Sequence, residues 1–126
     1  MKRIMIVDDA IFMRQMLMKI LIAEGFEICG EASCATEAVE KYKTVKPDLV
    51  TMDIVMPMME ELDGIGAVRE IVKLDPEARI IICSVMGQQS LVVEAIRAGA
   101  KDFVTKPVQP VRLLEAVKNI LKLNQA

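Results

Sequence analysis

The chain has 126 residues, 53% of them hydrophobic, and that length predicts one domain with a single core, residues 1–126. Its formal net charge of −2 gives no broad basic field, so we expect no nucleic-acid binding. Because histidine is absent, the chain contains no His-based triad, no His-ligated zinc and no histidine phosphodonor of its own.

The composition also bears on location and redox state. No apolar run approaches the length of a membrane span, and the first strand-like run is followed by Asp8 and Asp9, which no signal peptide would carry. Three cysteines without CxxC spacing indicate reduced thiols. We therefore expect a cytoplasmic protein that does not bind membranes.

Strand-like runs and helical patterns alternate five times along the chain. The predicted strands are 3–7, 27–32, 48–53, 79–84 and 101–105. Several are nearly continuous apolar runs, which is typical of a parallel sheet covered on both faces. The alternation predicts an α/β fold with a doubly wound, five-stranded parallel sheet and five helices.

The helical patterns carry their own start and stop signals. The first places apolar residues from Met13 to Leu21 at three-four spacing and stops at Gly25. The second begins at Thr36 as a candidate N-cap. The remaining patterns are 64–74, 88–98 and a last helix that begins near Pro110 and turns Leu114, Val117 and Leu121 toward the core.

Polar residues follow four of the predicted strands. Asp8 and Asp9 follow the first strand, Asp53 ends the third, Ser84 ends the fourth and Lys106 ends the fifth. In an open α/β sheet these ends meet at the edge where ligands bind. A carboxylate can attack phosphorus, a divalent cation relieves the repulsion between the two anions, and a lysine and a hydroxyl can contact phosphoryl oxygens. The set fits phosphoryl transfer.

Each of these residues also has a simpler interpretation. Asp8 or Asp9 would cap the first helix, and Asp53 would be a turn residue ahead of a proline. Ser84 would cap the fourth helix, and Lys106 would be a solvated lysine. The combination of compatible groups at four strand ends favours one shared site.

Five motifs resemble the receiver domain of two-component response regulators, of the CheY-like single-domain type. They are Ile6-Val7-Asp8-Asp9, Met52-Asp53-Ile54-Val55-Met56-Pro57, Cys83-Ser84, Ala98-Gly99-Ala100-Lys101-Asp102-Phe103 and Thr105-Lys106-Pro107. The resemblance covers almost the whole chain. CheY is a known example of the strand order 2-1-3-4-5, so the resemblance implies that order and a flavodoxin/CheY-like sheet.

The resemblance implies a role for each acid. Asp53 would be the phosphoacceptor. Asp9, Asp53 and the backbone carbonyl of Val55 would bind Mg²⁺ directly, or Mn²⁺ in its place, and Asp8 would act mainly through water.

The resemblance also assigns the phosphoryl-binding groups. Ser84 would hydrogen-bond the phosphoryl group, and Lys106 would form an ion pair with it. The peptide bond between Lys106 and Pro107 is a candidate for the cis form. Phe103 matches the aromatic ring that turns inward when the serine moves toward phosphate.

The family's partners follow from the same resemblance. The phosphoryl donor would be a phosphohistidine on a sensor histidine kinase, and the downstream target would be a protein such as a flagellar motor switch protein in chemotaxis. A phosphatase is a further candidate partner. We expect a monomer that is not a turnover enzyme; the alternative outputs are a phosphorelay intermediate and a phosphate sink.

Phosphorylation would repack the surface of helix 4, strand 5 and helix 5. The expected partner surface includes Met86, Gln88, Leu91, Phe103 and Val108. The alternative for each of them is ordinary helix packing.

Two further features bear on the chemistry. Val55 and Met86 are apolar where some relatives carry water-positioning groups, which predicts slow loss of the phosphoryl group. Glu60-Glu61-Leu62 precedes Asp63-Gly64 as an insertion relative to the family. We expect a tolerated surface insertion; the alternative is that Glu60 or Glu61 reaches the cation or alters kinase docking.

Other classes that use similar sheets fit less well. A haloacid dehalogenase-type phosphatase requires Asp-x-Asp, whereas Asp8 and Asp9 are adjacent and Val55 stands two residues after Asp53. A flavodoxin-like module or a P-loop would need a hydroxyl-rich or glycine-rich loop after the first strand.

Overall fold

The computed structural model describes residues 2–56 and 62–122. Five strands alternate with five helices along the chain. In order they are β1 (Arg3–Val7), α1 (Ile11–Ala23), β2 (Glu27–Ala32), α2 (Ala35–Val45), β3 (Leu49–Asp53), α3 (Gly64–Leu74), β4 (Ile80–Val85), α4 (Gln89–Ala98), β5 (Asp102–Lys106) and α5 (Pro110–Leu121).

The strands form one sheet in the order β2-β1-β3-β4-β5, and all four pairings are parallel. This confirms the predicted fold class and strand order. Because the strands run in the same direction, their carboxyl ends lie at one edge of the sheet, which we call the carboxyl edge. The opposite edge, where the strands begin, we call the amino edge.

The sheet separates two hydrophobic cores. Met5 and Val7 of β1 pack in the core on the α2, α3 and α4 side, whereas Ile4 and Ile6 pack in the core on the α1 and α5 side. Successive side chains of a strand point to opposite faces, so a strand buried on both faces needs apolar residues throughout. That requirement explains the continuous apolar runs in the sequence.

The start of α2 differs from the prediction. The helix begins at Ala35 with Cys34 as the N-cap residue, so Thr36 lies inside the first turn. The Glu37 carboxylate accepts hydrogen bonds from the Ser33 backbone N–H at 2.6 Å and from its hydroxyl at 3.2 Å. These hydrogen bonds from Ser33 to Glu37 stabilise the first turn of α2, which begins before the predicted cap residue Thr36.

The other helix boundaries agree with the predictions to within a residue or two. Helix α1 ends at Ala23, and Gly25 then adopts a φ of 95°, which favours glycine. Leu113 of α5 is completely buried, while Leu114 packs at the margin of the same core. Within the described residues, none of the helices has the length and apolar character to cross a membrane.

Candidate functional site

The sheet brings the predicted strand-end residues together at the carboxyl edge. Asp53 ends the central strand β3 and pairs in register with Cys83 of β4, next to Ser84. Lys106 ends β5 and pairs with Val85. Because β1 neighbours β3 on the other side, Asp8, which follows β1, also lies beside Asp53.

The three acids form a compact cluster. Carboxylate oxygens of Asp8, Asp9 and Asp53 lie within 4.8 Å of one another. Asp8 and Asp53 are buried, with 1% and 6% of their surface exposed, while Asp9 is exposed. Hard oxygen donors at this spacing, with one side open to solvent, are the ligands that Mg²⁺ prefers. The donor set therefore fits a divalent cation.

Lys106 contacts two of these acids. Its ammonium lies 3.0 Å from Oδ2 of Asp8 and 3.5 Å from Oδ2 of Asp53. Burial works against the charged form of Lys106, but the hydrogen bond to Asp8 and the charge of Asp53 outweigh it and raise the pKa of the ammonium. The lysine is thus held as a cation at the cluster.

The surroundings of Asp53 disfavour its negative charge. Burial raises the pKa of Asp53 to about 6; the charges of Asp8 and Asp9 add to the rise, while Lys106 and the Val55 N–H oppose it. The Val55 N–H donates to Oδ1 of Asp53 at 3.2 Å. The excess negative charge around Asp53 would be relieved by a bound cation.

Asp8 is held by four hydrogen bonds. Its backbone N–H donates to the Ala32 carbonyl at 3.0 Å, and its carbonyl accepts from Nη1 of Arg14 at 2.6 Å. Its carboxylate accepts from the Ala10 N–H at 2.9 Å and from Lys106. Ala10, not Asp8 or Asp9, is the N-cap residue of α1, so the simple capping interpretation of the two aspartates does not hold.

Ser84 and Phe103 border one cavity on the α4 side. Ser84 is 3% exposed, and the ring of Phe103, on the neighbouring strand β5, is 40% exposed. The cavity measures about 390 Å³ and is also lined by Val92, Val93 and Thr105. A space of this size is large enough to admit an aromatic side chain.

The residues expected on the partner surface divide into two groups. Met86 is 79% exposed and Phe103 lies at the surface, whereas Gln88 accepts a hydrogen bond from the Val85 N–H at 3.0 Å. Val108 is buried in the core with α1 and α5, so its expected place on the partner surface is wrong. Leu91 packs against the opposite core. For these two residues the alternative of ordinary packing holds.

The structure describes most of the remaining predicted positions. Val55 is 53% exposed beside Asp53. The Lys106–Pro107 peptide bond is cis. Glu60 and Glu61 lie outside the described residues, while Leu62, the last residue of the insertion, packs against the core on the α2, α3 and α4 side.

Two residues beside the site were not predicted from the sequence. Arg14 contacts the Asp8 carbonyl, as described above. Gly64 begins α3 so close to the end of β3 that a Cβ atom would lie 2.5 Å from the Ile54 carbonyl oxygen and 2.7 Å from that of Asp53. The available signals were an arginine six residues after Asp8, near the start of the first helix, and the glycine at a helix start.

Both the sequence and the fold match known proteins. Residues 4–118 match the family described as response regulator receiver domain. The chain is 59% identical over 121 residues to the chemotaxis protein CheY of Thermotoga maritima, covering 96% of this chain and 98% of the relative. It is also 59% identical over 119 residues to the chemotaxis protein CheY of Bacillus subtilis, covering 94% and 97%.

A solved structure gives the same picture. The chain is similar, at 38% identity and a TM-score of 0.88, to a chain in the crystal structure of the CheX-CheY-BeF3-Mg²⁺ complex from Borrelia burgdorferi. The similarity covers 95% of this chain and 89% of that one.

Proposed function

The chain belongs to the response regulator receiver domain family, a receiver of a two-component system whose CheY relatives are chemotaxis proteins, and we propose that Asp53 is its phosphoacceptor. The observation that carries this proposal is the gathering of Asp53, Asp8, Asp9 and Lys106 at one sheet edge. A set with one acceptor acid, two supporting acids and a lysine cation matches what phosphoryl transfer to a carboxylate requires. Residues 1–126 would act as one receiver unit.

The reaction proceeds by attack of an Asp53 carboxylate oxygen on the phosphorus of a phosphohistidine on a sensor kinase. The new O–P bond forms as the P–N bond breaks, and the imidazole nitrogen that leaves takes up a proton. The product is an acyl phosphate on Asp53. Burial keeps bulk water from the acceptor, since 6% of the residue is exposed.

The acids and the lysine have different electrostatic roles: the acids would bind the cation, and the lysine would bind the phosphoryl group. Asp8, Asp9, Asp53 and the Val55 carbonyl would hold Mg²⁺, which when bound neutralises charge between the two reacting anions. Lys106 lies near enough to both buried acids to move onto the phosphoryl oxygens once they appear. Ser84, on the neighbouring strand, offers a hydroxyl donor to the same oxygens.

The switch uses the cavity between Ser84 and Phe103. A hydrogen bond from Ser84 to the new phosphoryl group draws the loop after β4 toward Asp53 and opens space for the ring of Phe103. Inward rotation of the ring then changes the surface of α4, β5 and α5. A local change of charge is thereby converted into a change of a protein-binding surface.

The partners in this proposal are a sensor histidine kinase upstream and a flagellar motor switch protein downstream, in chemotaxis. The relatives named CheY support the pathway, and the CheX-CheY complex of Borrelia burgdorferi supports a further protein partner, for which a phosphatase is the candidate. The protein is phosphorylated stoichiometrically and is not a turnover enzyme.

The test is phosphorylation with acetyl phosphate and MgCl₂, followed by intact-mass spectrometry. The wild type should gain a single phosphoryl group, and Asp53→Asn should gain none. Asp102→Asn, which changes a partly buried aspartate on β5, is the matched control and should be labelled like the wild type. Folded wild-type protein that gains no adduct would overturn the proposal, and continuous turnover of the donor would favour a phosphatase.

The output can be tested separately with beryllofluoride, which mimics the phosphoryl group. In the presence of MgCl₂, beryllofluoride should strengthen binding to a purified flagellar motor switch protein. If beryllofluoride does not change the affinity for the motor switch protein, that protein is not the target.

A further inference from the structure

We propose that Arg14, tethered by Glu31, is a positioning residue of the cation site, because it fixes the peptide that joins Asp8 to Asp9. The inference rests on the proposed function, since it concerns the same cation. Arg14 touches none of the reacting groups, and its effect on the cation is exerted through the two aspartates.

The guanidinium of Arg14 bridges two elements. Its Nη1 donates to the Asp8 carbonyl at 2.6 Å, and its Nε donates to Oε1 of Glu31 at 2.9 Å. The side chain of Arg14 is 13% exposed, and it extends from α1 to the edge strand β2. Two charge-assisted hydrogen bonds to different elements leave the guanidinium one orientation.

The backbone at the Glu31 end of this bridge is itself fixed. The Glu31 backbone carbonyl accepts a hydrogen bond from Lys41 of α2, and Glu31 pairs in register with Ile6 of β1. The tether therefore belongs to the sheet and not to a loop. Arg14 is thus bound by Glu31 of the sheet through its Nε and binds the Asp8 carbonyl through its Nη1.

The held carbonyl determines where Asp9 points. The Asp8 C=O and the Asp9 N–H belong to one planar peptide group, so fixing the carbonyl oxygen fixes the plane from which Asp9 leaves the strand. Asp8 is restrained at its side chain as well, whereas Asp9 is exposed. Mg²⁺ demands near-ideal octahedral geometry, so a small rotation of this peptide would move an Asp9 oxygen off its ligand position.

Charge and geometry predict opposite effects when Arg14 is replaced. Arg14→Gln removes a positive charge near three carboxylates, which by Coulomb attraction alone would strengthen the binding of a cation. If Arg14 acts by positioning Asp9, the same replacement weakens binding. The direction of the change therefore separates the two explanations.

Arg3 provides a matched control at the amino edge. Its Nη1 donates to the Val45 carbonyl at 2.9 Å, and its Nε lies 3.7 Å from Oε2 of Glu27, also on β2. Arg3 thus combines a backbone carbonyl with a β2 glutamate, as Arg14 does, but at the end of the sheet remote from the acids. Arg3→Gln removes the same charge without touching the Asp8–Asp9 peptide.

The experiment is isothermal titration of MgCl₂ into wild type, Arg14→Gln and Arg3→Gln, with no phosphoryl donor present. We expect Arg14→Gln to weaken Mg²⁺ binding about tenfold, the usual scale for residues that orient metal ligands. Arg3→Gln should leave the dissociation constant unchanged. In metal-free protein, the NMR shift of the Asp9 amide should move in Arg14→Gln and stay in place in Arg3→Gln.

If the wild type binds Mg²⁺ and Arg14→Gln binds it equally well or more tightly, this inference is overturned and the proposed function stays intact. Wild-type protein that binds no Mg²⁺ would overturn both. If Arg14→Gln fails to fold, Arg14→Lys replaces it: the charge is kept, but one ammonium cannot reproduce the guanidinium bridge. Arg14→Lys should weaken binding in the same direction, and unchanged affinity there would equally reject the inference.

Discussion

The acidic side chains at the two edges of the sheet lie in different surroundings. At the amino edge the Arg3 N–H donates to the Asp48 carboxylate at 2.7 Å, and the Tyr42 hydroxyl donates to Asp75 at 2.8 Å, so acids there meet donors near the surface. At the carboxyl edge two buried acids, Asp8 and Asp53, contact the same lysine. The acids of the amino edge each accept a hydrogen bond from a neutral donor, whereas the carboxyl edge gathers three carboxylates around one lysine.

The carboxyl edge contains a charged group, Asp53, that lowers the stability of the folded protein. Burial together with neighbouring acids raises the pKa of Asp53 to about 6, which means that its charge is unfavourable in the folded protein. At the amino edge, by contrast, the carboxylates of Asp48 and Asp75 each accept a hydrogen bond. The imbalance is the feature that a cation and a phosphoryl group would exploit.

Removing Lys106 should have the largest effect on the stability of the carboxyl edge. Lys106→Met leaves Asp8 and Asp53 without the cation that now contacts both, and we expect a loss of about 3 kcal/mol in the free energy of unfolding. Urea unfolding in EDTA measures it. Saturating MgCl₂ should restore part of the loss, because the metal supplies positive charge at the same acids.

The control for this change is an exposed ion pair. Arg69 lies 3.2 Å from Glu94, and both side chains are about half exposed, so Arg69→Met should cost less than about 1 kcal/mol and be insensitive to MgCl₂. Equal losses for the two variants would show that the carboxyl edge is no more strained than the surface.

Neutralising the acceptor should act in the opposite direction. In EDTA at pH 7.5, Asp53→Asn should be more stable than wild type by on the order of 2 kcal/mol, because it removes a charge that burial disfavours. The folded pKa of about 6 lies above the ordinary value of 3.8. Between these values the folded state binds more protons than the unfolded state, so this group's penalty is absent below pH 3.8 and complete above pH 6.

The measurement is the difference in unfolding free energy between wild type and Asp53→Asn across that pH range. The advantage of the variant should grow as the pH rises from 4 to 7 and then level off. An advantage that is the same at every pH would show that the Asp53 charge is not the cause.

At the amino edge a comparable polar contact should matter for stability alone. Tyr42→Phe removes the hydrogen bond to Asp75, and we expect a loss of about 1 kcal/mol in unfolding free energy. Phosphorylation by acetyl phosphate should proceed at the wild-type rate. A slower rate would mean that the two edges are coupled.

The smallest effect should be kinetic and confined to the carboxyl edge. Val55 is half exposed beside the acceptor and offers no group that can orient water. Val55→Asn supplies an amide there, so the phosphoryl group should be lost several-fold faster than from wild type. Decay is followed by intact mass after removal of the donor, and a variant that decays no faster than wild type would contradict the expectation.

The strands and helices could be predicted from the sequence because they depend on local patterns, whereas the strand order came from the family resemblance. Continuous apolar runs identified the strands, and a polar residue at the end of four strands indicated the shared edge. Thr36 was assigned wrongly because the start of α2 depends on Glu37 reaching back to Ser33. Hydrogen bonds of that kind are not visible in apolar periodicity.

Val108 and Arg14 show a second limit of the sequence. Val108 stands between prolines and carries no periodic signal, yet the fold buries it in the α1 and α5 core. Arg14 reads as an ordinary polar position of an amphipathic helix. Its contact with Glu31 joins residues 17 apart, on two elements whose relative placement only the folded chain defines.

The cavity beside Ser84 offers a route to chemical inhibition. It measures about 390 Å³ and is bordered by Phe103, which is 40% exposed. A small apolar compound lodged in that space would compete with the ring for the same volume. Such a wedge would uncouple signalling from phosphorylation: Asp53 could still be modified, but the molecule would stay locked in its resting shape.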